Sequence, residues 1–286
     1  MQCMTTAFVL AGGGSLGAVQ AGMLRALMEH GAKADFVVGA SAGAINGAYF
    51  AAAPTQAGVT KLETIWRELK REHIFPFGLS NLLGFLWRRD YIVELHGLRR
   101  LLERHLPYVR LEHAAIPIHV VATDLITGDE VLFSSGSAVE AVLASAAIPG
   151  IFPTVLINGR ELVDGGVTNY TPISTALKLG ADRIIVLPTG FACGLTRAPA
   201  SAIARALHSL NLLVARQLVN DIERYAQRVR LHVVPTLCPL ETPSHDYSSC
   251  AILIERASDS TRQWIQQGGL ERASTVPHQL REHAHH

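Results

Sequence analysis

Two glycine turns, each lodged between an apolar strand and a helix, constrain this chain more than any other feature. From Ala7 to Pro54 the residues read as strand, glycine turn, helix, strand, sharp turn, helix. Such alternation builds an open α/β sheet, whose chemistry gathers at the carboxyl ends of its strands. Both turns fall at that end, so they should lie side by side. The expected architecture is α/β, three layers in the order helix, sheet, helix, around a mostly parallel central sheet.

The second turn is the more informative. Gly39-Ala40-Ser41-Ala42-Gly43 follows the apolar run Phe36-Val37-Val38 and precedes a helix-favouring stretch from Ala44 to Ala53 that stops at Pro54. This is a G-x-S-x-G pattern in strand–turn–helix context. A nucleophile on a tight turn needs small neighbours, and Gly39 and Gly43 occupy the crowded flanks. Ser41, a candidate nucleophile, would stand at a helix N-terminus, where backbone N–H groups favour developing negative charge. An ordinary Gly/Ser turn has the same short pattern, so the context carries the reading.

The first turn, Gly12-Gly13-Gly14-Ser15-Leu16-Gly17, matches G-x-G-x-x-G, and Asp35 follows at roughly the distance of a ribose-binding acid. A dinucleotide site wants that acid at the end of the second strand, however, and Asp35 precedes Phe36. Bare glycine amides beside a nucleophile have another use, the binding of an oxyanion.

Together with Asp164-Gly165-Gly166, these two turns resemble the three signature blocks of the patatin-like phospholipases, serine lipid acyl hydrolases with a Ser–Asp dyad. VATDLITGDEVLFSSG (121–136), ASAAIPGIFP (144–153) and DGGVTNYTP (164–172) are similar to the family's connecting segments in order and spacing. The resemblance runs from about Ala7 to Leu187. It implies a patatin-like fold and hydrolysis of lipid esters through an acyl-enzyme, with Ser41 as nucleophile and Asp164 as general base. It also implies an oxyanion hole from the Gly12, Gly13 and Gly14 loop with Ala42, motif glycines at Gly17, Gly39, Gly43, Gly165 and Gly166, and no cofactor or metal. Family members often carry Arg or Lys where this chain has Leu16. From the residues alone, Asp164 is equally a plain D-G turn aspartate. As a base at neutral pH it should be desolvated, with its pKa raised.

Two rival readings stay open. An α/β-hydrolase triad needs a histidine after the acid, and His208, His232 and His245 qualify by chain order, although that fold normally builds several strands before its elbow. A non-catalytic lipid-binding protein could retain the same scaffold.

At 286 residues, 49% hydrophobic and without a linker-like stretch, the chain is expected to form one domain, with a core over about 7–270 and a polar tail at 271–286. Lys and Arg number 25 against 24 Asp and Glu, so no basic field points to nucleic acid. Cys3, Cys193, Cys238 and Cys250 lack C-x-x-C spacing and read as reduced thiols. The N-terminus has no basic region ahead of its apolar run, and no stretch offers the 18 or more apolar residues of a membrane span. The expectation is a cytoplasmic protein, peripheral to membranes at most.

The apolar, glycine-broken segment 74–89 reads as a lid or acyl groove able to touch a membrane, with a buried hydrophobic layer as its plainer alternative. Residues 60–72 read as a surface helix packed on the core. Further elements are expected at 18–30 (helix), 116–125 and 130–136 (strands), 139–147 (helix), 154–166 (hairpin about Asn158-Gly159), 183–188 (strand), 200–230 (helix), 231–237 (strand) and 248–268 (helix). Asp124 should bind its own turn as an Asx residue.

Overall fold

The computed structural model describes residues 4–74, 91–190, 193 and 198–272. Five parallel strands form the heart of the sheet: β1 (Thr6–Leu10), β2 (Phe36–Ala40), β3 (Ile118–Asp124), β7 (Arg183–Leu187) and β8 (Arg230–Val233). They are hydrogen-bonded in the order β3-β2-β1-β7-β8. Three antiparallel strands, β4 (Glu130–Phe133), β5 (Val155–Ile157) and β6 (Arg160–Asp164), complete one side.

The period of two places successive side chains on opposite faces. Phe8, Leu10, Val37, Val120 and Leu187 belong to one hydrophobic cluster. Ala7, Val9, Val38, Val121 and Val186 belong to the other. On the first face pack α1 (Ala18–Glu29), α2 (Ala42–Ala52), α3 (Gln56–Glu68), the short α4 (Arg71–Ile74), α5 (His96–His105), α6 (Ala138–Ser145) and α10 (Cys250–Gln266). The second face is covered by α8 (Ile173–Lys178) and α9 (Ala202–Tyr225), the latter through Leu218, Ile222 and Tyr225. The three-layer architecture read from the sequence is the one observed. A one-turn α7 (Gly166–Asn169) follows β6.

Register explains how the site is assembled. β4 lies opposite Val120–Thr123 of β3. β2 lies opposite Ile118–Val121, and β6 opposite Ala122–Asp124. Because β4 overlaps both of the others, β2 and β6 must follow one another along the remaining edge of β3. Ala40 pairs with Val121 and Asp164 with Ala122, so the chain leaving β2 and the chain leaving β6 arrive at the same point. The hairpin that delivers Asp164 turns at Asn158 (φ 51°) and Gly159 (φ 77°). Positive φ at both central positions is what a type I′ turn demands, and Asn-Gly tolerates it.

Most boundaries fall within a few residues of expectation. The helix expected at 60–72 begins earlier, at Gln56, because Thr55 caps it by accepting from the Gly58 N–H at 3.2 Å. It ends at Glu68, where Leu69 turns to an extended conformation. Of the expected lid at 74–89, all but Ile74 lies outside the described residues, as does the tail from 273. Cys193 and Cys238, distant in sequence, bring their sulfurs to 3.6 Å without a disulfide.

Candidate active site

Ser41 sits between β2 and α2, is 6% exposed, and holds φ 55° and ψ −124°. A non-glycine residue at positive φ is strained by roughly 1–3 kcal/mol and persists only where its surroundings enforce it. The flanks show how. A Cβ on Gly43 would lie 2.1 Å from the Leu10 carbonyl oxygen, and one on Gly39 would lie 2.4 Å from that of Gly43. Only glycine permits this double approach of backbone to backbone.

The Ser41 hydroxyl donates to Asp164 Oδ2 at 2.6 Å, and Asp164 Oδ1 accepts the Gly166 N–H at 2.7 Å. No imidazole stands between serine and aspartate. Asp164 is itself only 6% exposed. Burial raises its pKa to about 6 against the opposing pull of the Ser41 and Gly166 hydrogen bonds. Gly165 lies where a Cβ would meet the Val121 carbonyl oxygen at 2.0 Å, which lets the aspartate turn close on β3.

The glycine loop runs beside this pair. Gly12 donates its N–H to the Tyr170 carbonyl at 3.0 Å, which corrects its expected role as an oxyanion donor: that amide is already engaged. A Cβ on Gly12 would stand 3.2 Å from that of Ser41 and 2.7 Å from the Tyr170 ring, so Gly12 serves close approach instead. Gly13, Gly14 and Ala42 border the same cavity as Ser41. Gly14 opens a 3-10 turn (Gly14–Gly17) and Ala42 opens α2, positions whose N–H groups have no acceptor within their own helix. Gly17 packs against Trp66 and Ala42. Leu16 is fully buried in the core at 1% exposure, so the position lends no charge to the site.

From Ser41 and Asp164 a cavity of about 310 Å³ extends between α3, α5 and the segment following α6. Its walls are apolar: Leu62, Ile65, Trp66, Leu101, Ile148 and Phe152 are among them. Helix α3, expected only to cover the core, therefore also shapes the cavity. Sequence reading missed the network that holds this wall. Trp66 Nε1 donates to Asn46 Oδ1 at 2.8 Å, and Asn46 Nδ2 donates to Gln20 Oε1 at 2.7 Å and the Gly17 carbonyl at 2.9 Å. Gln20 in turn donates to the carbonyls of Ala11 and Leu187, both at 2.8 Å. The available signal was a lone amide among the apolar residues that open α1 and another within α2, since buried polar groups need partners.

The remaining candidates fall elsewhere. Asp35 Oδ2 accepts the Thr6 N–H at 2.7 Å, at the end of β1 opposite the glycines, which removes it from any dinucleotide site. Asp124 binds the N–H groups of Ile126 and Thr127 at 3.0 and 3.2 Å, the Asx turn expected. His232 lies in β8, across β1 and β7 from β2, with Nδ1 3.1 Å from the Gly269 carbonyl. His208 is on α9, and His245 borders the cavity.

Comparison with known proteins gives the family: the model described as patatin-like phospholipase matches residues 8–177, more than half of the chain. The chain belongs to the patatin-like phospholipase family. A patatin-like phospholipase domain-containing protein of Caenorhabditis elegans is 29% identical over 184 residues, covering 64% of this chain and 16% of that protein. An NTE family protein of Mycobacterium tuberculosis is 34% identical over 170 residues, covering 57% of this chain and 27% of its own length. This member of the family thus matches only a minor part of these longer relatives. Among solved structures, VipD from Legionella pneumophila is similar over 92% of this chain and 67% of its own, at 15% identity and a TM-score of 0.48.

Proposed function

We propose that this protein hydrolyses carboxylic esters of lipids through an acyl-enzyme formed on Ser41. The observation that carries the reading is the 2.6 Å hydrogen bond from the Ser41 hydroxyl to Asp164 at the head of an apolar cavity. The family's description as phospholipases supports the substrate class.

In this reading Asp164 accepts the hydroxyl proton as Oγ attacks the ester carbonyl carbon. The oxyanion is held by N–H groups of Gly13, Gly14 and Ala42; the loss of one such donor typically costs about 10²–10³ in rate. The leaving alcohol takes the proton back from Asp164. Water, deprotonated by the same carboxylate, then frees the fatty acid and restores Ser41. A pKa near 6 suits this double duty, leaving the carboxylate ionised at neutral pH yet more basic than a solvated aspartate. The acyl chain occupies the cavity beside Trp66, where burial contributes about 0.8 kcal/mol per methylene. Such a substrate is met at a membrane surface, and among the described residues no helix is long and apolar enough to cross a membrane.

A fluorophosphonate ester probe tests the assignment. Wild-type protein is expected to label and Ser41→Ala to escape labelling, while His245→Ala keeps both label and turnover. Turnover by Ser41→Ala would overturn the acyl-enzyme, and its loss in a folded His245→Ala would replace the dyad with a triad.

A further inference from the structure

Ser41 follows β2 and Asp164 ends β6, strands that do not pair with each other, and one short segment fastens both. Ser145, the last residue of α6, is fully buried. Its hydroxyl accepts the Ser41 N–H at 2.9 Å and donates to the Val121 carbonyl. Its own carbonyl accepts the Gly165 N–H at 3.1 Å, and the Ala147 carbonyl accepts the Asp164 N–H at 2.9 Å. The end of α6 thus grips the backbone at the serine and at the aspartate, with β3 as the common anchor.

From this arrangement we infer that Ser145 is a positioning residue: its hydroxyl holds the strained Ser41 backbone at the angle that aims Oγ onto Asp164. This rests on the proposed dyad and adds to it. The Ser41 N–H points into the protein at Ser145, so it is spent on aiming the nucleophile and takes no part in binding an oxyanion. Among the described residues no other side chain is hydrogen-bonded to the Ser41 amide. Without the Ser145 hydroxyl, a buried donor loses its acceptor at the residue whose φ is 55°, and the turn can relax toward ordinary backbone. A displacement of about 1 Å at a reacting atom costs on the order of 10²-fold in rate. The segment's other grips use carbonyls, which every residue possesses. The hydroxyl is the only part that depends on the residue type at 145.

A purely structural serine would satisfy a buried amide and nothing more, so the test separates stability from aim. Ser145→Ala is compared with Leu143→Ala, which removes from the same helix a fully buried side chain that does not line the cavity and leaves the Ser145 hydroxyl in place. Each is assayed for kcat and KM on a soluble ester and for the second-order rate of fluorophosphonate labelling, per folded molecule. Expected for Ser145→Ala is a kcat and a labelling rate about 10- to 100-fold lower with KM within about twofold, while Leu143→Ala, however destabilised, keeps both rates. Ser145→Thr, which restores the hydroxyl, should recover part of the loss and carries the same comparison if the alanine variant fails to fold. Equal rates in Ser145→Ala and Leu143→Ala overturn the inference and leave the dyad standing. Turnover by Ser41→Ala overturns both.

Discussion

Asp124 and Asp164 stand near one another at the ends of paired strands, each 6% exposed, each accepting backbone N–H groups of its own turn through Oδ1. They differ in what the second oxygen meets. Asp124 Oδ2 looks toward the Arg160 guanidinium, 3.9 Å away. Asp164 Oδ2 receives a hydroxyl, and no cation is hydrogen-bonded to it among the described residues. A buried carboxylate becomes a base when its charge is left without a cationic partner and its free oxygen faces a proton that chemistry needs to move. Burial by itself does neither.

The sharpest way to break this contrast is kinetic. Asp164→Asn should lower kcat by on the order of 10³-fold or more, whereas Asp124→Asn should stay within about threefold of wild type on the same ester. Similar losses in the two variants would show that the carboxylates act as one structural unit.

Next in size is the pH dependence. If Asp164 is the base, kcat/KM rises with pH and levels off above an apparent pKa of about 6. Asp124→Asn should leave that limb in place. A limb near the ordinary aspartate value of 3.8 would mean that the carboxylate is solvated during turnover.

The same shift carries a cost in stability. A folded pKa of about 6 against 3.8 for the unfolded chain means that the native state binds more protons between those values, so stability falls as pH rises through the window. The two units correspond to about 3 kcal/mol as an upper figure. Asp164→Asn, neutral at every pH, should therefore be more stable than wild type at pH 8 by up to about that amount and level with it near pH 4. Denaturant unfolding at both pH values measures the difference.

The smallest effect belongs to the partner in the comparison. Asp124→Ala strips acceptors from the N–H groups of Ile126 and Thr127 and should cost about 1 kcal/mol, with kcat nearly unchanged.

Sheet, layers and hairpin were legible because their signals are local. Asn158-Gly159 announces a turn whatever surrounds it, and the near-continuous apolar runs of β1 and β2 announce strands buried on both faces. The glycines at 39 and 43 were legible as a tight elbow. Less legible was α3, whose cap at Thr55 was overlooked and whose Trp66 reads from sequence as ordinary core. Ser145 lies in ASAAIPGIFP, a stretch similar to the family's connecting segments, yet its contact with the elbow was not legible, since a serine near the end of VEAVLASAA looks like any small helical residue. Gly12 was read as a donor because nothing in the chain reveals that the carbonyl of Tyr170 claims its amide.

Sequence alone determined the conformations that depend on residues a few positions apart: two small-residue turns, a serine raised on one of them, and an aspartate at the end of a hairpin. Which carboxylate meets that serine was decided only by tertiary structure. Ser41 and Asp164 are 123 positions apart, and they touch because β6 runs back along β3 and ends where β2 ends. For strands distant in sequence no turn fixes the pairing, so the register of β2 and β6 on β3 is set by the fit of the sheet's faces against both helical layers.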